Sequence, residues 1–92
     1  MEGFECESDV RVEADGRYTR VHKGKVWAPN YMSLMTLYLR YERARLPLPD
    51  GFIRKTRSLT FPPENSAVVH FLIEDTEIGE LKPEPKQNPF YA

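Results

Sequence analysis

Two histidines are the residues of this chain best suited to acid–base chemistry, because an imidazole changes its charge near neutral pH. His22 and His70 lie far apart in the sequence, and neither belongs to a recognised catalytic motif. His70 is flanked by apolar residues, which favours a packed or surface histidine over a general base. A ribonuclease-like enzyme that uses His22 or His70 beside an arginine is nevertheless one hypothesis, since such groups need no sequence motif.

Metal, redox and targeting signals are missing from the sequence. Cys6 is the only cysteine, which excludes an internal disulfide and a C-x-x-C metal site and favours a reducing compartment. The acidic residues near the end of the chain match no calcium-loop spacing. The acidic N-terminus does not resemble a signal peptide, and no apolar run is long enough to cross a bilayer. We therefore expect a cytoplasmic protein with no metal, no cofactor and no membrane partner.

The charged residues are unevenly distributed, although the net charge is only −1. Residues 1–15 hold six acidic side chains and one basic one, residues 16–57 ten basic and two acidic, and residues 58–92 six acidic and two basic. A basic middle between acidic ends indicates that charge takes part in recognition.

The Asp15-Gly16 pair predicts a β-hairpin with a two-residue type I′ turn between strands at 9–14 and 17–22. This turn pairs Val12 with Thr19 and Val10 with Val21 on the core face. A second turn at Lys23-Gly24 would lead into a short third strand that ends before Pro29.

On that register, basic and aromatic side chains share the solvent face of the hairpin. Cations combined with stacking aromatics are typical of single-stranded RNA or DNA binding, which is our alternative functional hypothesis. A sequence pI near 6 argues against it. The predicted nucleic-acid-binding residues are Tyr18, Arg20, His22, Lys25 and Trp27, with further charge from Arg54, Lys55 and Arg57.

Residues 30–46 are predicted to form a helix that is unusually apolar. Asn30 or Ser33 would cap its start, and Pro47 would end it. Its polar side chains form one narrow stripe at helical spacing, so a single sheet leaves part of its apolar surface uncovered. The stripe consists of Ser33, Thr36, Arg40 and Arg43.

Two further strands are predicted at 52–61 and 67–74. Residues 54–57 are polar enough to place the first at a sheet edge, whereas the apolar run 68–73 predicts a strand covered on both faces. The order β-β-(β)-α-β-β predicts an α+β fold in which an antiparallel sheet of four to five strands packs on one helix. An acidic arm (1–8), a single domain (9–75) and a proline-rich tail (76–92) complete the prediction.

These features favour a small, non-catalytic protein–protein interaction module, such as an accessory subunit, adaptor or inhibitor. It would bind another protein chain, or a second copy of itself, through the helix and the tail. The predicted contact residues are Tyr31, Met35, Leu39, Phe90 and Tyr91.

Overall fold

The structure, a computed structural model, describes residues 1–64 and 67–79, and it has the predicted α+β fold. One α-helix and four strands make up the described chain. In chain order they are β1 (Gly3–Val12), β2 (Tyr18–Trp27), α1 (Leu34–Arg45), β3 (Phe52–Thr60) and β4 (Val68–Glu77).

The strands form one antiparallel sheet in the order β1-β2-β4-β3. The polar segment 54–57 lies in β3, which is an edge strand as predicted. The prediction that β4 is covered on both faces is wrong. Its side chains alternate, with Phe71 and Ile73 buried and His70 exposed, because the single helix can cover only one face of the sheet.

The core lies between α1 and the sheet face that it covers, here called the helix-side face. Asn30 caps the start of the helical segment, where its side-chain oxygen accepts a hydrogen bond from the Ser33 amide across a short 3₁₀ turn. The helix ends at Arg45, two residues before Pro47. Neither helical segment of the described chain has the length and apolar character needed to cross a bilayer. The core residues are Val26, Ala28, Leu34, Leu37, Tyr38, Leu46, Val69, Phe71 and Ile73.

The hairpin between β1 and β2 has a different register from the predicted one. The Glu13 amide donates to the Arg17 carbonyl, the Gly16 amide donates to the Glu13 carbonyl, and Gly16 has φ +89°. This is a three-residue loop with a left-handed glycine, not a two-residue turn. The pairing is therefore shifted by one residue: Val12 lies opposite Tyr18 and Val10 opposite Arg20. A shift of one residue moves the side chains of one strand to the other face relative to its partner, so Arg20 and His22 share a face with Val10.

The predicted turn at Lys23-Gly24 is also wrong, since β2 runs through it without interruption. Gly24 pairs with Cys6 of β1 on one side and with Phe71 of β4 on the other. A Cβ atom at Gly24 would collide with the carbonyl oxygen of Glu5, so the glycine permits a close approach of two strands. The third strand of the predicted order is thus the end of β2, and β1 already begins at Gly3, within the segment expected to be an arm.

Candidate functional site

A row of apolar side chains on α1 and its flanks faces away from the sheet. We call this row the apolar patch. Among the described residues nothing encloses it, because the sheet covers only the opposite side of the helix. Its members and their exposed fractions are Tyr31 63%, Met32 90%, Met35 40%, Leu39 53% and Leu48 46%.

Helical spacing brings these side chains together. Met35 and Leu39 are four residues apart in α1, which places them on one side of the helix, and Tyr31 lies in the short 3₁₀ turn (Tyr31–Ser33) that leads into it. Leu48 extends the patch, since it lines a groove with Leu39 and the buried Leu46 at the end of α1. The structure thus leaves three of the predicted contact residues exposed within one helical segment, whereas Phe90 and Tyr91 lie outside the described residues. Leu48 was missed because it follows two residues after the helix pattern ends.

Two arginines flank the apolar patch. Arg40 and Arg43 are exposed on α1, and Arg43 also lines the groove beside Leu39. Neither forms an ion pair with any residue in the described part of the chain. This side of the helix therefore combines apolar surface with unpaired positive charge.

The predicted basic–aromatic surface is divided between the two faces of the sheet. Tyr18, Arg20 and His22 alternate along β2 on the helix-side face, and His22 is buried there. Lys25 and Trp27 lie on the opposite, open face, with the lysine ammonium 5.7 Å from the centre of the indole ring. The structure does not bring these five side chains onto one surface.

Carboxylates also neutralise several of the cations in that set. Lys25 lies 3.9 Å from Glu5, and Arg57 donates a 2.9 Å hydrogen bond to Glu74. Arg54 is mostly buried in an ion pair, whereas Lys55 is exposed on β3. Nucleic-acid binding stays a prediction, and the shared surface that motivated it is absent from the described residues.

Below the helix, five polar side chains from five elements form a continuous network, here called the polar cluster. The Ser8 hydroxyl lies 2.7 Å from Nδ1 of His22, and Nε2 of His22 lies 3.2 Å from Oδ2 of Asp75. Arg54 donates to both oxygens of Asp75, at 2.7 and 2.8 Å, and to Glu42 at 3.2 Å. His22 and Asp75 are almost fully buried, at 1% and 0% exposure.

The charges of the polar cluster follow from burial and from Arg54. Burial lowers the pKa of His22 against the opposing effect of Asp75, so the imidazole is neutral at neutral pH. Burial disfavours ionisation of Asp75, but the hydrogen bonds and charge of Arg54 outweigh it and lower the pKa of that carboxyl. A carboxylate can only accept, so Nε2 of His22 carries the proton and Nδ1 accepts from Ser8.

No spacing in the sequence reveals the polar cluster. Its members come from β1, β2, α1, β3 and β4, and they meet only through the sheet order. Of the two candidate histidines, His22 lies within this network, while His70 is exposed on the open face. Within residues 1–64 and 67–79, no group of three or more His, Cys, Asp or Glu side chains is arranged to hold a metal ion.

Comparisons of the chain with protein-family models, with curated proteins and with solved structures find no match, so its function has to be inferred from the apolar patch and the polar cluster themselves.

Proposed function

We propose that this protein is a small protein–protein interaction module, an accessory subunit, adaptor or inhibitor, that binds its partner through the apolar patch. The observation that supports this proposal is the exposure of several apolar side chains on α1 and on the turns at its two ends, with Met32 exposed at 90% and Leu39 at 53%. Single exposed apolar residues are ordinary, but contiguous ones mark interfaces.

Burial of the apolar patch would supply the binding energy. Full burial of an exposed Leu or Met side chain is worth roughly 1.5–3 kcal/mol, so a half-exposed residue such as Leu39 contributes about half of that. The contributions of the patch residues add up before the cost of association is subtracted. Methionine and tyrosine also suit an interface, because the first adapts its shape and the second offers a rigid ring.

The charges beside the apolar patch define the chemistry of the partner. Arg43 lines the groove beside Leu39, Arg40 follows Leu39 in α1, and neither has an acidic partner among the described residues. The matching surface is an apolar protein segment that carries carboxylates on its flank, as an acidic amphipathic helix does. Charge complementarity of this kind speeds association and rejects basic competitors.

A pair of synthetic peptides tests this proposal directly. Both form amphipathic helices with the same leucine face, and one carries glutamates on its flanks where the other carries lysines. Fluorescence anisotropy should show binding of the glutamate peptide only. Leu39→Asp should abolish that binding, since the aspartate would be desolvated in the contact.

Ile53→Asp is the matched control, because Ile53 is also 53% exposed but lies in β3. This variant should bind the glutamate peptide as the unmodified chain does. Binding of neither peptide, or equal loss in both variants, contradicts the proposal. Sedimentation equilibrium tests whether a second copy of the chain covers the apolar patch. A dimer that Leu39→Asp converts to a monomer would show that the patch serves self-association instead of binding an acidic partner.

A further inference from the structure

Ser8 and His22 are arranged as a nucleophile and its base. Ser8 is exposed on the edge strand β1, and its hydroxyl lies 2.7 Å from Nδ1 of the buried His22. Asp75 holds the other ring nitrogen. A hydroxyl within hydrogen-bonding distance of a base that a third group orients is the arrangement that activates serine for attack on carbonyl carbon.

The imidazole is held in position and in the required tautomer. Arg54 donates hydrogen bonds to both oxygens of Asp75 and so fixes the orientation of this carboxylate. The carboxylate in turn accepts a hydrogen bond from Nε2 of His22. Nδ1 then presents its lone pair to the serine, and the hydroxyl proton points at that lone pair. Ser58, by comparison, is an exposed serine of β3 with no histidine hydrogen-bonded to it in the described chain.

We propose that Ser8 is a base-activated nucleophile that takes an acyl group from activated esters. The oxygen of Ser8 forms a bond to the acyl carbon while its proton passes to Nδ1 of His22. The bond from that carbon to the leaving oxygen then breaks, and the leaving oxygen takes the proton from Nδ1. The products are acyl-Ser8, the free alcohol and a neutral His22.

Arg20 supplies positive charge beside this reaction. It is the next residue of β2 on the same face as His22, and it pairs opposite Asp75 of β4. Its guanidinium forms no ion pair with any residue that the structure describes. The positive charge of Arg20 is close enough to act on His22, and an arginine without an ion-pair partner there would stabilise the oxyanion that forms from the carbonyl oxygen of the ester.

This inference is independent of the proposed interaction function, because Ser8 is not part of the apolar patch. The test uses the full chain and p-nitrophenyl acetate, with the released nitrophenolate followed by absorbance and the acetylated residue located by peptide mass spectrometry. One acetyl group per chain should appear on Ser8. Ser8→Ala should remove it, and Ser58→Ala should leave it unchanged.

The role of His22 is tested separately from that of the serine. His22→Gln should slow acetylation of Ser8 by about 100-fold or more, the usual contribution of a general base. Circular dichroism checks that this variant is folded. If it does not fold, the pH dependence of acetylation in the unmodified chain tests the same role. The rate of acetylation of Ser8 must fall as acid protonates His22. Acetylation of Ser8 no faster than Ser58, or at a rate independent of pH, would overturn the proposal.

Discussion

At the scale of single residues, Arg54 determines whether the buried Asp75 is tolerated. Asp75 has no exposed surface, and two hydrogen bonds from Arg54 satisfy its charge. Taking one member out of a buried ion pair leaves the other charge desolvated, which costs far more than losing an exposed pair.

Arg54→Met should therefore lower the free energy of unfolding by about 3–5 kcal/mol. Lys55→Met is the control on the same strand, because Lys55 is exposed, and it should change stability by no more than about 0.5 kcal/mol. Urea titrations followed by circular dichroism measure both values. Similar stabilities of the two variants would mean that the polar cluster contributes little to the fold.

Tyr38 presents the opposite case, a buried polar atom without a partner. Its hydroxyl is fully buried, and although Glu42 and Thr56 lie near it, no group of the described chain meets it in hydrogen-bonding geometry. Burial first, and then the Glu42 carboxylate, raise the pKa of Tyr38 to about 12. An unpaired buried hydroxyl destabilises the folded state. Tyr38→Phe should leave the stability unchanged or raise it by about 1 kcal/mol, as measured by the urea midpoint. Tyr41→Phe, which removes an exposed hydrogen bond to Glu2, should have almost no effect. A clear loss of stability in Tyr38→Phe would show that the hydroxyl has a partner.

At the scale of elements, periodicity predicted the helix, the hairpin and the two later strands, but not the strand register, the start of β1 or the uninterrupted course of β2. The helix and the edge position of β3 follow from residue spacing and polarity, which act locally. The register depends on one extra residue in the loop at Gly16, and Asp-Gly occurs in both loop types. The passage of β2 through Gly24 depends on the neighbouring strand, which a local pattern does not include.

The two glycines of this hairpin should respond differently to alanine. Gly16→Ala meets no atoms but requires a left-handed residue, at a cost of about 1–2 kcal/mol. Gly24→Ala brings a methyl group against the backbone of Glu5 and Cys6, which cannot move without displacing β1. We expect a loss of about 3 kcal/mol in Gly24→Ala, the upper range for overpacking. Hydrogen exchange should show faster exchange in β1 for Gly24→Ala alone. Equal protection of β1 in both variants would contradict this explanation.

The two candidate sites differ in how far the sequence could predict them. The apolar patch lies on one helix and its flanks, so local spacing identified Tyr31, Met35 and Leu39 as exposed candidates, although it missed Met32 and Leu48. The polar cluster joins residues from five elements, and its partners follow only from the sheet order and from the corrected hairpin register. The predicted register placed His22 on the solvent face, which hid its role.

At the scale of the whole molecule, one helix covers one face of one sheet, and the two buried members of the polar cluster, His22 and Asp75, lie on that covered face. Protonation of the cluster therefore acts on global stability. The pKa of His22 in the folded chain lies below the ordinary value of 6.5. Between these two pKa values, the imidazole is protonated in the unfolded chain and neutral in the folded chain. Its contribution is fully present above pH 6.5 and is lost as the pH falls through the folded pKa.

Asp75 extends the same trend to stronger acid. Its folded pKa lies below 3.8, so its contribution is present above that value and is lost as the pH falls further. The free energy of unfolding should accordingly decline in two stages, one beginning near pH 6.5 and one below pH 3.8. Urea titrations across this range measure both stages. His22→Gln should remove the first stage, whereas His70→Gln, at an exposed position, should retain it. If the first stage persists in His22→Gln, other groups cause it, and protonation of the buried imidazole is not what couples acid to unfolding.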